Sequence, residues 1–139
     1  MTDLKAMIAQ FYADVDNSTK TKADLADYFT DDFKDHDRHP LAPEFLSDKD
    51  AHLGFFDELK GGFSDFTHTL NLVEETSSGK WIVYWSFRGK HSGTFYGTPA
   101  SNKVAGCNGI DIYTLNDGKF SEQRHAEDVA GLMAQVSAT

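Results

Sequence analysis

The tripeptide Asn116-Asp117-Gly118 narrows what this chain can become more than any other stretch. It separates two apolar-rich runs, Gly109–Leu115 and Lys119–Ala126. Asp-Gly between such runs marks a β-hairpin, because both turn residues tolerate positive φ. Strand side chains alternate between faces. Strict alternation puts Phe120, Glu122, Arg124, Ala126 and, if the strand runs on, Asp128 on one face. A charged set beside an aromatic, late in a strand, is either a solvated outer face or the polar wall of a pocket.

The chain upstream changes period once. Leu4, Met7, Ile8, Phe11, Tyr12 and Val15 form one helical stripe, with Thr2 as the expected N-cap. Thr21-Lys22-Ala23-Asp24 resembles a capping box opening a short second helix, whose apolar face is Leu25, Tyr28 and Phe29. Thr30 to Pro43 is acidic and turn-rich, with Phe33 as the start of a short strand. Ser47 caps a third helix that runs to about Lys60 and ends at Gly61-Gly62. From Asp65 the period becomes two. Phe66, His68, Leu70 and Leu72 alternate with polar neighbours. Trp81, Val83, Trp85 and Phe87 alternate with Ile82, Tyr84, Ser86 and Arg88, which marks a strand inside a sheet. Val129, Leu132 and Met133 suggest a closing helical turn.

Helices first and antiparallel strands after predict an α+β fold, one domain over residues 1–139. The expected form is a conical barrel: a curved, mostly antiparallel sheet with about three N-terminal helices enclosing a pocket. Eleven Phe, five Tyr and two Trp are more aromatics than a small core demands, which permits a small-molecule cavity. The net charge of −9 disfavours nucleic acid and anionic membranes. No run approaches the ~20 apolar residues of a membrane helix. No leader pattern opens the sequence, and Cys107 has no partner for a disulfide, so a cytoplasmic location is expected.

The segment Gly89-Lys90-His91-Ser92-Gly93-Thr94-Phe95-Tyr96-Gly97-Thr98-Pro99 resembles the SnoaL-like polyketide cyclase family of the nuclear-transport-factor-2-like superfamily. The pattern is Gly-x-His-x-Gly, an aromatic, then Gly-x-Pro. It continues through Gly109-Ile110-Asp111-Ile112, Asp117-Gly118-Lys119, Glu122, Asp128, Gly131-Leu132 and Gln135, in matching order. Asp35-His36-Asp37 and Phe63-Ser64-Asp65 also fit. Two positions depart: Arg124 stands where many relatives carry Trp, and Val136-Ser137 where Leu-Gly is common. The resemblance implies a conical barrel with a deep apolar pocket, a homodimer, and ring closure by aldol chemistry without cofactor or metal. It places the acid/base aspartate on Asp128.

The expected function is therefore cofactor-independent cyclisation or isomerisation of a small hydrophobic carbonyl compound, with Asp128 giving and taking the proton. Arg124 and His91 would orient the substrate, and Glu122, His36, Tyr12 and Trp85 would complete the site. The alternative is a non-catalytic small-molecule binder or dimeric scaffold. The residues alone leave three readings of Glu122, Arg124 and Asp128 open: an acid/base group, a bidentate clamp for an anion, or an ion network facing water. His36 and His39 have His-x-x-His spacing, but Pro40 and the acidic turn argue against a metal, and none is expected. No nucleotide-binding glycine motif occurs. His52, His68 and His125 read as ordinary helix or strand residues, and Cys107 as a buried, inert thiol.

Overall fold

The computed structural model describes residues 3–137. Four helices and five strands follow in the order α1 (Leu4–Asp16), α2 (Lys22–Ala26), β1 (Phe29–Asp35), α3 (Asp48–Gly62), β2 (Ser64–Glu75), β3 (Lys80–Lys90), β4 (Val104–Asn116), β5 (Lys119–Glu127) and α4 (Val129–Ser137). The strands form one curved sheet in the order β1-β5-β4-β3-β2 that does not close on itself. β1 lies parallel to β5 and every other pair is antiparallel. Among the described residues no helix is long and apolar enough to cross a membrane.

Local chemistry sets the helix ends. Thr2, the expected cap of α1, lies outside the described residues; the Asp3 carboxylate accepts from the Ala6 N–H at 3.0 Å. Ile8, Phe11, Tyr12 and Val15 then face inward. At α2 the expected capping box forms between Thr21 and Asp24, with the Thr21 N–H donating to the Asp24 carboxylate at 2.8 Å. Ser47 caps α3 by accepting from the Asp50 N–H. Beyond the end of β5, the Gln135 side chain of α4 takes over the ladder. Its amide donates to the Gly106 carbonyl at 2.8 Å and accepts from the Gly106 N–H at 3.0 Å.

The hairpin forms where expected, with Asp117 at φ 51° and Gly118 at φ 77°. Its outgoing strand does not alternate strictly. Leu115 pairs with Phe120 but Thr114 pairs with Glu122, so Ser121 is a bulge. The bulge changes which residues face in. Phe120 is buried, and after it Gln123, His125 and Glu127 point to the interior while Arg124 and Ala126 are exposed. The face drawn from Phe120 through Glu122 and Arg124 to Asp128 is therefore not one face. β2 repeats the device: Leu70 pairs with Trp85 and Leu72 with Tyr84, leaving Asn71 over. Leu72 turns out to solvent and Val73 packs on the core.

Three rows of facing residues run across the inner surface from β3 through β4 to β5. They are Trp81–Tyr113–Gln123, Val83–Asp111–His125 and Trp85–Gly109–Glu127. The last row needs a residue without Cβ, because an added Cβ at Gly109 would lie 2.2 Å from the Trp85 ring. Gly109→Ala should lower stability by about 1–3 kcal/mol, read as a lower urea midpoint. Gly54, inside α3 with nothing within 4 Å, provides the opposite case. Gly54→Ala should raise the midpoint by an amount worth about 0.5–1 kcal/mol.

Candidate functional site

A cavity of about 390 Å³ opens between the concave sheet face and helices α1, α3 and α4. Its walls are largely aromatic, with Phe11, Phe55, Phe56, Trp85 and Phe87 among them. Leu41 and Val129 line it and are also exposed, which locates the mouth. There His39 stacks on Tyr96 with centroids 4.4 Å apart and planes 5° from parallel. The loop bearing His39 is wrapped around Arg38, which donates to the carbonyls of Leu46 and Pro43 and to the Asp48 carboxylate.

The inner wall is polar and is built on the rows of β3, β4 and β5. Three donors meet at one oxygen, Asp111 Oδ2: the Tyr12 hydroxyl, the Trp85 Nε1–H at 2.9 Å and the Tyr113 hydroxyl at 3.2 Å. The two hydroxyls are 2.9 Å from one another. No protein donor reaches Asp111 Oδ1 among the described residues. Burial pushes the Asp111 carboxyl above the usual range, against the Tyr12 hydrogen bond and the charge of His125. Burial and the facing carboxyl raise Tyr12 and Tyr113 well above an ordinary phenol, so both stay protonated and donate.

His125 lies at the middle of the wall. Its Nδ1 is 2.7 Å from Gln123 Nε2, and its Nε2 is 3.8 Å from Glu127 Oε1. Glu127 is raised by burial, with His125 opposing. Asp35 is also raised by burial, against the Asp37 N–H and His125. Each of the three carboxyls thus feels His125 across the same space. The cavity lining holds no Lys or Arg among the described residues. His52 packs against Phe29, Phe33 and Phe56, and burial lowers its pKa to about 3. Burial and the charges of Glu127 and Asp128 push the Cys107 thiol up to about 12, in keeping with an inert thiol.

The expected site residues separate. Tyr12 and Trp85 line the cavity. Asp128 does not: it is exposed, and its carboxylate caps α4 by accepting from the Gly131 N–H at 2.8 Å. Glu122 bonds His36 at 2.6 Å on the outer side, with Arg124 3.8 Å away and exposed. The Ser121 bulge explains this shift, since it reverses the inward parity beyond Phe120. His91 is fully buried outside the cavity lining, where Ser101 holds its Nδ1 and Phe63 its ring. Asp111, Gln123, His125 and Glu127 take the inner positions instead. Asp111 was legible: it shares strand parity with Tyr113 on an inward face. His125 and Glu127 were not, because nothing in the sequence announces the bulge.

A profile of the SnoaL-like polyketide cyclases matches residues 6–136. This chain belongs to that family. Among solved structures, TsrD from Streptomyces laurentii is 18% identical with a TM-score of 0.80, over 100% of this chain and 99% of that one. AclR from Streptomyces galilaeus, a candidate hydroxylase, is 13% identical with a TM-score of 0.79, over 99% and 82%. IdmH from Streptomyces antibioticus, a candidate polyketide cyclase, is 21% identical with a TM-score of 0.77, over 99% and 100%. These likenesses share the nuclear-transport-factor-2-like fold, and a shared fold does not by itself fix a reaction. No curated protein matches the chain significantly.

The buried His52 makes a pH prediction. A folded-state pKa near 3, against 6.5 for a free imidazole, adds stability that is complete above about pH 6.5 and lost as pH falls towards 3. The raised carboxyls act in the opposite sense, so the variant difference isolates His52. Between pH 7 and 5 the wild type should lose about 2 kcal/mol relative to His52→Phe, measured by urea unfolding at each pH.

Proposed function

We propose that this protein is a cofactor-independent enzyme that cyclises or isomerises a hydrophobic carbonyl compound, with Asp111 as the base and His125 as the acid. The observation that carries this reading is the convergence of three donors on one oxygen of a fully buried carboxyl that lines the cavity. The donors fix the carboxyl in place and favour its ionised form. Burial makes that form more basic than a surface aspartate. A held, dry carboxylate is suited to taking a proton from a carbon next to a carbonyl.

The steps balance with this chain's own groups. Asp111 Oδ1 takes the proton, and the C–H electron pair moves into the carbonyl to give an enolate. The enolate carbon attacks a second carbonyl of the same molecule and closes the ring. The new alkoxide takes a proton from His125 Nε2, and solvent exchange restores both groups. In an isomerisation, the proton returns to a different carbon. Aromatic walls keep water away from the enolate, and Tyr12 and Tyr113 lie beside Asp111 as fixed donors.

The test is hydrogen exchange in D2O with a panel of aryl β-keto esters and enones, read by NMR at the carbon next to the carbonyl. Asp111→Asn should slow exchange by about 10²–10⁴-fold while binding persists. Asp128→Asn, which keeps a capping side chain, should exchange at the wild-type rate. Full exchange in the Asp111 variant would reject Asp111 as the base, and binding without exchange across the panel would leave a ligand-binding protein.

A further inference from the structure

The inner wall of the cavity is unbalanced in charge and in hydrogen-bonding type. Asp35, Asp111 and Glu127 line it, and no Lys or Arg does among the described residues. The imidazoles do not redress this. His68 is engaged with Asp16 at 2.6 Å. His52 is held neutral among aromatic rings, and His39 is stacked on Tyr96 at the mouth. His125 alone faces all three carboxyls.

Glu127 is the least satisfied of the three. Its side chain is 16% exposed, and among the described residues neither carboxylate oxygen accepts a hydrogen bond. The basic nitrogen paired with it, His125 Nε2, is 3.8 Å away, beyond hydrogen-bond length. Asp111 Oδ1, on a residue 7% exposed, is equally free of protein donors among the described residues. Both residues line the cavity and neither is among the buried atoms closed off without a partner, so these oxygens are open to donors on whatever enters it. Trp85 lies in the same row as Glu127, and Tyr12 and Phe87 line the same space. Aromatic faces beside carboxylates attract organic cations and not anions.

We infer that the cavity recognises a hydrophobic compound that bears a basic, protonated nitrogen and no ionised acid group, with Glu127 as its ion partner. This rests on the cavity being the ligand site, as proposed above, but not on the proton transfer. The nitrogen supplies the donors that Glu127 lacks, and its charge offsets the surplus carboxyl. A free carboxylate or phosphate would meet three acidic side chains and, among the described residues, no Lys or Arg to pair with. A carbonyl to be deprotonated by Asp111 therefore belongs to a ketone, ester or amide.

Calorimetric titration of the full chain at neutral pH and low salt, with three probes of matched shape, tests this. The probes are naphthylethylamine, naphthylethanol and naphthylacetate. The amine should bind at least about tenfold more tightly than the alcohol, and the acid more weakly than both. Glu127→Gln should remove the amine's advantage and leave the alcohol's affinity in place, which also shows that the variant is folded. Equal affinities of amine and alcohol, an advantage that survives in Glu127→Gln, or tightest binding by the acid would overturn the inference. Each of these leaves the exchange assay untouched, and failed exchange leaves the probe ranking untouched. Absence of binding by all three would remove the cavity as the ligand site and both readings with it.

Discussion

Ser121 is opposite no residue of β4 in the ladder, and the interior of the protein is arranged by that surplus residue. With strict pairing, Arg124 and Asp128 would point inward and Gln123, His125 and Glu127 would meet water. One extra residue reverses the parity for the rest of β5. The inner surface then gains His125 opposite Asp111 and Glu127 opposite Gly109. Phe120, before the bulge, still faces the core against Phe11 and Phe29. One strand therefore serves a dry packing layer at its start and a polar wall at its end.

The polar wall is tolerable because the packing around it supplies donors in fixed places. Trp85 lies over Gly109 and reaches Asp111 with its indole N–H. Tyr12 arrives from α1 on the opposite side. Each is an aromatic whose body contributes to the core and whose polar end satisfies a carboxyl. The balance is incomplete further along the wall, at Glu127, and there the raised carboxyl pKa records burial that the protein itself does not offset. Perturbed acids in a concave, apolar surrounding are the features by which a functional site is recognised.

Much of the fold was legible in the sequence, for identifiable reasons. The stripe from Leu4 to Val15, the cap at Ser47 and the alternation from Trp81 to Phe87 are local signals, and each has its expected partner in the structure. The Asp117-Gly118 turn is equally local. The site was less legible because it depends on register. A bulge arises from pairing between strands, so Leu72 and everything after Ser121 were assigned to the wrong face by a rule that is correct within an unbroken strand. Asp128 looked like an acid at a pocket because it follows the charged run. It is the residue at which the strand has ended and α4 begins, and a carboxylate there caps the helix.

The contact between Tyr12 and Asp111 joins residues 99 positions apart. One belongs to the first helix and the other to the penultimate strand, so this hydroxyl finds its acceptor only after the chain between them has been laid down. Closing a loop that long costs chain entropy before the contact can repay it. β5 must also be in register before His125 stands opposite Asp111. The aromatic core has the same requirement, since Phe11 packs on Phe120 across a still longer span, so core and chemical centre depend on the same closure of the chain.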